Sequence, residues 1–451
     1  MTKEKTQTLG FVMMLDVSGS MSNWIETVRL DACAFVDCSQ RGDQLAINKF
    51  SDDASWIYPT GQNPDIVTVT DIEQLKAADA AIQKITPYGW TNIGEAITLA
   101  NQMIQKATTD VKAFVLLSDG DHNRGTHPKS ILGAEPPIYV AGLGHALRKE
   151  YFNEMLAKNA KSKYYNAPNQ AEMMTMFYQI LADASEANLS LNKHRKNVPS
   201  GRYYIIEEFT ITSNLAQVCV VWSDKKFRYT NGMPEKNRMS IILCDPDGQK
   251  KDYQPEIDEN GYCIFNLMNA KPGKWNVFIQ YNNPEPFSVT VSAIDRNAKI
   301  KTEVAVPLFI ESGKIIPIEI SVTKNEELLQ NLTIRTTIAQ PVRSIDETLS
   351  LYSSELDLIN TSESKDCDEE EAMISKLKIL EDNLLKKEGI DLFEKKYSIQ
   401  LLQQNSNGCY RGSIEDTLVP GIYNIDINIE GTDPETGIRF TSLKQQAVFV
   451  G

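Results

Sequence analysis

The stretch LDVSGSMS, residues 15–22, ends an apolar run in a carboxylate and two hydroxyls. Asp16, Ser18 and Ser20 are spaced two apart, and Gly19 permits a tight turn between the serines. At the C-terminal end of a strand and just before a helix, such oxygens converge where open α/β sheets bind ligands. Hard oxygen donors at that place suit Mg²⁺ or Mn²⁺. Ser and Asp also cap helices, so this stretch alone reads as a capping cluster. Two further stretches change that balance. GWTNIGEAI, residues 89–97, places the Thr91 hydroxyl before a helix beginning near Asn92. VLLSDGDHN, residues 115–123, places Asp119 just past another buried strand. If the two strands are parallel neighbours, Asp16 and Asp119 meet at one edge of the sheet.

Other chemistries find little support. Ser18 and Ser20 have no His or Lys base in a nearby motif, so nucleophilic catalysis is not indicated and the chain is expected not to be an enzyme. The four histidines do not cluster, and no H-E-x-x-H occurs, which leaves zinc chemistry without a motif. The seven cysteines are odd in number and none forms C-x-x-C, the pattern of buried reduced thiols in a cytosolic protein, with a disulfide among the strand cysteines as the alternative. A net charge of -14 disfavours nucleic acid and anionic membranes and is compatible with cations. No run of 18 or more apolar residues appears, so no transmembrane segment is expected. The first residues carry lysines without an apolar core and cleavage site. They predict a cytoplasmic protein, or a secreted or cell-surface one if the natural chain begins earlier.

The elements that must position these residues fall into three blocks. The 451 residues exceed one ordinary core. Residues 1–187 alternate continuous apolar runs (TLGFVMMLD, QLAINKF, KAFVLLSDG, PPIYVAGLG) with helical stripes such as Ile25, Val28, Ala32, Phe35 and Ile93, Ile97, Ala100, Ile104. This predicts a Rossmann-like α/β domain, a mostly parallel sheet with helices on both faces, closed by the helix AEMMTMFYQILADA. LNKHRKNVPSG reads as a basic linker. Beyond it the period falls to two, predicting two all-β sandwich domains of immunoglobulin or fibronectin type over residues 188–298 and 299–451. The last carries a helical insertion at about residues 366–389, with a stripe of Met373, Leu377, Leu380 and Leu384.

Over residues 8–187 the chain resembles the von Willebrand factor type A family. The motif of that family's metal-ion-dependent adhesion site is D-x-S-x-S, then Thr, then Asp. Asp16, Ser18, Ser20, Thr91 and Asp119 match it. The resemblance implies Mg²⁺, with Mn²⁺ or Ca²⁺ as alternatives. Ser18, Ser20 and Thr91 would be direct ligands, and Asp16 and Asp119 would act mostly through water. It implies a protein partner that donates an Asp or Glu to the metal, and a last helix able to slide. Trp90 stands where many members have a second Gly. Asp121 and His122 fall in the loop after Asp119. Family members also dock onto ATPase or chelatase complexes, so an assembly factor for an AAA+ ATPase is the alternative. The layout of an A-type domain followed by sandwiches is similar to that of calcium-activated chloride channel regulator proteins. Their H-E-x-x-H protease domain is missing here, and no channel role is carried over.

Overall fold

The computed structural model describes residues 7–61, 64–120, 122–143, 149–167, 170–222, 227–251, 253–259, 261–359, 373, 376–377, 379–380, 383–384, 394–404 and 408–451. The first unit holds strands β1 (Leu9–Asp16), β2 (Gln44–Phe50), β3 (Ala54–Tyr58), β4 (Val67–Thr68), β5 (Val111–Ser118), β6 (Ile138–Leu143) and β7 (Lys163–Ala167). Its helices are α1 (Ile25–Asp37), α2 (Ile72–Ile82), α3 (Ile93–Ile104), α4 (Pro128–Ile131), α5 (Lys149–Leu156) and α6 (Gln170–Ala184). The strands order as β3-β2-β1-β5-β6-β7, with β4 beside β2. β1, β2, β5, β6 and β7 run parallel, while β3 and β4 are antiparallel to β2, so the sheet is mixed at one edge.

β1 is buried along its whole length because both faces are covered. Phe11, Met13 and Leu15 face α1, α2 and α6; Val12 and Met14 face α3 and α5. The helical stripes read from the sequence are buried: Ile25, Val28, Ala32, Phe35 on α1 and Ile93, Ile97, Ala100, Ile104 on α3. α2 starts on Asp71, whose side chain and that of Gln74 complete a reciprocal cap.

The second unit holds β8 (Asn188–Val198), β9 (Gly201–Ile211), β10 (Leu215–Trp222), β11 (Arg228–Tyr229), β12 (Arg238–Cys244), β13 (Lys250–Lys251), β14 (Ile257–Glu259), β15 (Tyr262–Met268), β16 (Gly273–Asn283) and β17 (Phe287–Asp295). They form two sheets, β14-β15-β10-β17-β8 and β11-β12-β16-β9, packed over a core that includes Trp222 and Trp275. LNKHRKNVPSG does not link domains. Its first residues belong to β8, paired antiparallel to β17 from Asn188 to Val198. The alternating Lys193 and Arg195 both reach Glu207 of β9, so the charges that suggested a loop are one face of a strand.

The last unit holds β18 (Ile300–Ala305), β19 (Phe309–Ile310), β20 (Ile316–Lys324), β21 (Glu327–Leu328), β22 (Thr333–Pro341), α7 (Ile345–Leu351), α8 (Ser353–Asp357), β23 (Glu394–Gln404), β24 (Cys409–Ile414), β25 (Gly421–Thr432) and β26 (Arg439–Val450). The strands form one nine-stranded sheet, β18-β20-β24-β23-β22-β25-β26-β19, with β21 beside β20. β23 pairs with β22 through its first residues and with β24 through its last, so the sheet folds over its own core. Most of the expected insertion at 366–389 lies outside the described residues. Those of its residues that are described are helical, and Leu377 and Leu380 are buried with Leu356. Among the described residues no helix is long and apolar enough to cross a membrane.

The α/β unit is docked on both β units. Its core beneath α1 and α6 continues into Cys219, Val221, Tyr262 and Ile294, and its core beneath α5 into Ile422, Ala447 and Phe449. Tyr164 of β7 packs on Phe449 with ring centroids 4.9 Å apart.

Candidate metal centre

Parallel pairing in register sets the site. Leu15 lies opposite Leu117 and Asp16 opposite Phe50, so Asp16 and Ser118 end adjacent strands at the same edge of the sheet. The chain then turns through a short 3₁₀ segment, Gly19–Asn23, into α1. Asp16 is fully buried, and both its oxygens are used. Oδ1 accepts from the Ser18 backbone N–H at 2.8 Å, and Oδ2 accepts from the Ser118 hydroxyl. Ser118 was not singled out in the sequence; its place just before Asp119 in LLSDG was the available signal.

The hydroxyls follow. Ser18 Oγ lies 3.2 Å from Ser20 Oγ, and Ser20 Oγ donates to Asp119 Oδ1 at 2.7 Å. Thr91 arrives from the loop before α3. Its backbone N–H donates to Asn123 Oδ1 at 2.8 Å, and its carbonyl accepts from the Asn123 N–H at 3.1 Å. Thr91 is 1% exposed, and its Oγ1 has no hydrogen-bond partner among the described residues. Gly120 leaves the space between. A Cβ there would stand 3.8 Å from Thr91 Oγ1 and 3.9 Å from Ser20 Oγ. All five predicted residues therefore gather at one edge, linked directly or across Gly120. Burial, then the Asp119 carboxylate, push Asp16 up to about 7, against the pull of the Ser118 and Ser18 hydrogen bonds.

The loops are tied to one another by backbone. Gly19 N–H donates to the Gly89 carbonyl at 3.0 Å, Tyr88 N–H to Val17 at 2.7 Å, and Asn92 N–H to Ser51 at 2.9 Å. Asp52, which sequence reasoning missed, accepts from the Trp90 N–H at 3.1 Å and from Arg124 Nη1 at 2.9 Å. Gly89 has φ +70, and a Cβ there would sit 2.8 Å from the Asp52 carboxyl carbon, so glycine is required. Asn92 caps α3 by accepting from the Glu95 N–H at 3.2 Å. Trp90 is half-buried. His122 stacks edge-on to His127 with centroids 5.7 Å apart, and burial pushes its pKa down. Asp121 lies outside the described residues. Among the described residues no group of three or more His, Cys, Asp or Glu side chains is placed to hold a metal. The five site residues are two carboxylates and three hydroxyls, a different donor set.

Comparison with known proteins gives a family match over part of the chain. Residues 11–122 match the family model of the von Willebrand factor type A domain. Over 190 residues, 38% of this chain, the sequence is 24% identical to the inter-alpha-trypsin inhibitor heavy chain H4 of Bos taurus. The match covers 20% of that protein's length. A von Willebrand factor type A structure from Catenulispora acidiphila is similar at 13% identity and a TM-score of 0.37, over 72% of this chain and 64% of that one. The PilB minor pilin from Streptococcus sanguinis is similar at 14% identity and a TM-score of 0.31, over 40% of this chain and 61% of that one. The strand order, the helices on both faces and the family-model match lead to one assignment: this chain carries a von Willebrand factor type A domain at residues 11–122, followed by strand-rich β units.

Proposed function

We propose that this protein is a non-enzymatic interaction module. Its A domain binds Mg²⁺, with Mn²⁺ or Ca²⁺ as alternatives, at Asp16, Ser18, Ser20, Thr91 and Asp119, and uses the metal to capture an Asp or Glu of a protein partner. The observation that carries this reading is Thr91 Oγ1. It is a buried hydroxyl with no partner among the described residues, and it faces Ser20 Oγ across the gap at Gly120. Leaving a buried hydroxyl unsatisfied costs about 1–3 kcal/mol, a penalty that a bound cation removes. Hard, mostly neutral oxygens beside two carboxylates are the donor chemistry of Mg²⁺.

Ser18, Ser20 and Thr91 would hold the ion directly. Asp16, fixed by the Ser18 N–H and the Ser118 hydroxyl, would orient the serine turn, and Asp119 would hold Ser20. When bound, the metal supplies a positive charge that a neutral ligand set leaves in need of an anion. A carboxylate from outside meets that need, which makes partner binding metal-dependent. Nucleophilic chemistry is disfavoured by the same bonds: the serine hydroxyls engage each other and Asp119, while His122 packs on His127.

Thermal unfolding with and without metal tests the reading. A ligand at 100 times its Kd stabilises the folded state by about 2.7 kcal/mol. Mg²⁺ should raise the melting temperature of the wild type, and the double change Ser18→Ala and Ser20→Ala should remove the gain while the metal-free melt persists. An equal metal-induced rise in the double variant sinks the assignment.

A further inference from the structure

Cys38 caps the C-terminal end of α1, and Cys219 lies in the middle of β10. They belong to different units, yet the docking of α1 brings them together. The Cys38 carbonyl accepts from Gln217 Nε2 at 3.2 Å and from Arg296 Nη2 at 2.8 Å. Gln217 and Cys219 are two residues apart on one strand and so share a face. The bond to Gln217 therefore seats the end of α1 over Cys219. A third element closes the group. The Tyr178 hydroxyl of α6 lies 3.9 Å from Cys38 Sγ and hydrogen-bonds to Cys219 Sγ.

Both thiols are buried, at 0% and 1% exposure, and the half-buried Arg296 also donates to Gln217 Oε1 at 2.6 Å. The two sulfurs are not equivalent. Burial raises Cys38, but the contact with Cys219 and the Arg296 guanidinium outweigh it and hold the thiol below its ordinary range. Burial drives Cys219 well above that range. Two sulfurs gathered on one tyrosine hydroxyl are placed for attack by one and resolution by the other. The other buried thiols differ. Cys33 contacts Gln83 and Cys263 contacts Asp258.

We propose that Cys38 and Cys219 form a redox-responsive dithiol that closes to a disulfide and clamps the A domain onto the first sandwich. The oxidant is a low-molecular-weight disulfide of the glutathione class. Both protein sulfurs are buried in the docked state, so the exchange proceeds while α1 is lifted from β10: the Cys38 thiolate attacks one sulfur of the oxidant, forming a mixed disulfide and releasing one small thiolate. Cys219 gives its proton to that leaving thiolate and displaces the second small thiolate from Cys38, which takes up the proton that Cys38 released on ionising. Two protein thiols are oxidised and one small disulfide is reduced to two thiols. The bridge removes both sulfurs as partners of Tyr178 and ties α1, which begins just after the metal-site turn, to β10.

Peptide mapping of the full chain tests this. The reduced protein is equilibrated in graded mixtures of oxidised and reduced glutathione, both folded and during refolding from urea. It is then quenched in acid, alkylated in denaturant and digested. A linked peptide pair containing Cys38 and Cys219 should appear with rising oxidant and vanish on reduction. The bridged chain should melt higher than the reduced one. Cys219→Ser should lack the pair, whereas Tyr178→Phe, which keeps both sulfurs, should retain it. If Cys219→Ser does not fold, the wild-type map decides alone. Alkylation of both cysteines across every mixture, refolded samples included, overturns the proposal, as does either cysteine bridging mainly to another residue.

Discussion

Asp183 is a charge on which the α/β unit and the last unit meet, and replacing it has a calculable cost. It lies near the end of α6 with 5% exposure. Lys444 of β26 reaches its Oδ1 at 2.5 Å, Lys163 of β7 its Oδ2 at 2.9 Å, and the Tyr165 hydroxyl donates to Oδ2 at 2.6 Å. Burial alone would raise this carboxyl; the two lysines outweigh it and hold it well below the carboxylate range. Asp183→Asn keeps the size and an acceptor for Tyr165 but strands two cations. Removing one partner from a buried ion pair costs about 3–5 kcal/mol. Lys444 and Lys163 retain 10% and 20% exposure, which moves the cost toward the lower end. We expect a loss of about 3 kcal/mol, which at about 2–4 °C per kcal/mol lowers the melting temperature by about 6–12 °C. The sign with pH follows from linkage. A depressed carboxyl stabilises the fold above its unfolded value, near 3.8, and loses that contribution as pH falls below it. The gap between wild type and Asp183→Asn should therefore be full at neutral pH and close in acid. Urea and thermal melts of both proteins across that range measure it. A loss below about 1 kcal/mol at neutral pH, or an equal loss in acid, refutes the reasoning.

The other predictions act at different places. A Cβ on Gly94 would stand 1.8 Å from the Thr126 carbonyl oxygen. Gly94→Ala should cost about 1–3 kcal/mol by overpacking and weaken the Mg²⁺-induced thermal gain, because α3 must move from the 123–126 loop. Gly133→Ala, whose nearest contact is 3.6 Å away, is the control and should do neither. At the α1–β15 junction the Tyr262 hydroxyl donates to Asp37 at 2.6 Å, and Asp79 lies 3.5 Å from it. Burial first, then the mutual repulsion of the two carboxyl groups, push Asp37 up to about 9, and burial pushes Asp79 up to about 6. An acid held protonated by folding loses stability as pH climbs from its unfolded to its folded value, by at most about 1.4 kcal/mol per pH unit. Asp37→Asn should flatten that decline in a urea-midpoint series; a wild-type series already flat from neutral to mildly alkaline pH contradicts it. Trypsin should spare Lys193, Arg195 and Lys196, because that backbone is paired to β17. A first cut there would show that β8 is not a strand in solution.

The α/β unit was legible because its signals are local and strong. β1, β2, β5 and β6 are continuous apolar runs, and α1 and α3 carry full stripes. The meeting of Asp16 with the end of β5 was legible for the same reason, since both lie at ends of apolar runs; Ser18 and Ser20 lie in the turn after β1 and Thr91 in a loop, and the family motif joined them to it. What escaped the sequence depends on contacts distant in the chain. β7 reads KYYNA, and its tyrosines are buried because β26 and α6 cover them, which nothing in five residues can announce. β8 reads as a linker because Lys193, His194, Arg195 and Lys196 look solvated. Their register against β17 and the carboxylate of Glu207 turn them into a strand. Asp52 and Asn123 looked like loop residues, and only the folded loops show them clamping Trp90 and Thr91.

The same long-range docking bears on how a metal-site event can travel. The family resemblance implies that the last helix slides, and the methionines of α6 would ease repacking. In this chain α6 is buried nearly all round: Met173, Met174, Met176, Phe177, Tyr178, Ile180 and Leu181 are each at most 3% exposed. Asn192 of β8 donates to the Thr175 carbonyl at 2.7 Å, Lys196 pairs with Glu172, and Asp183 holds Lys163 and Lys444. A one-turn slip is about 5.4 Å, far beyond the reach of any of these bonds. Coupling energies between sites are typically about 1–3 kcal/mol, no more than the Asp183 contacts alone. A slide of α6 past fixed neighbours is therefore out of proportion to what ligand binding can supply. Movement that keeps those contacts is not: α6, β7, β8 and β26 shifting together against the strands that bear Asp16 and Asp119 would leave every one of these bonds intact. In this chain the unit of motion is set by what α6 is bonded to, and that is the β units rather than its own domain alone.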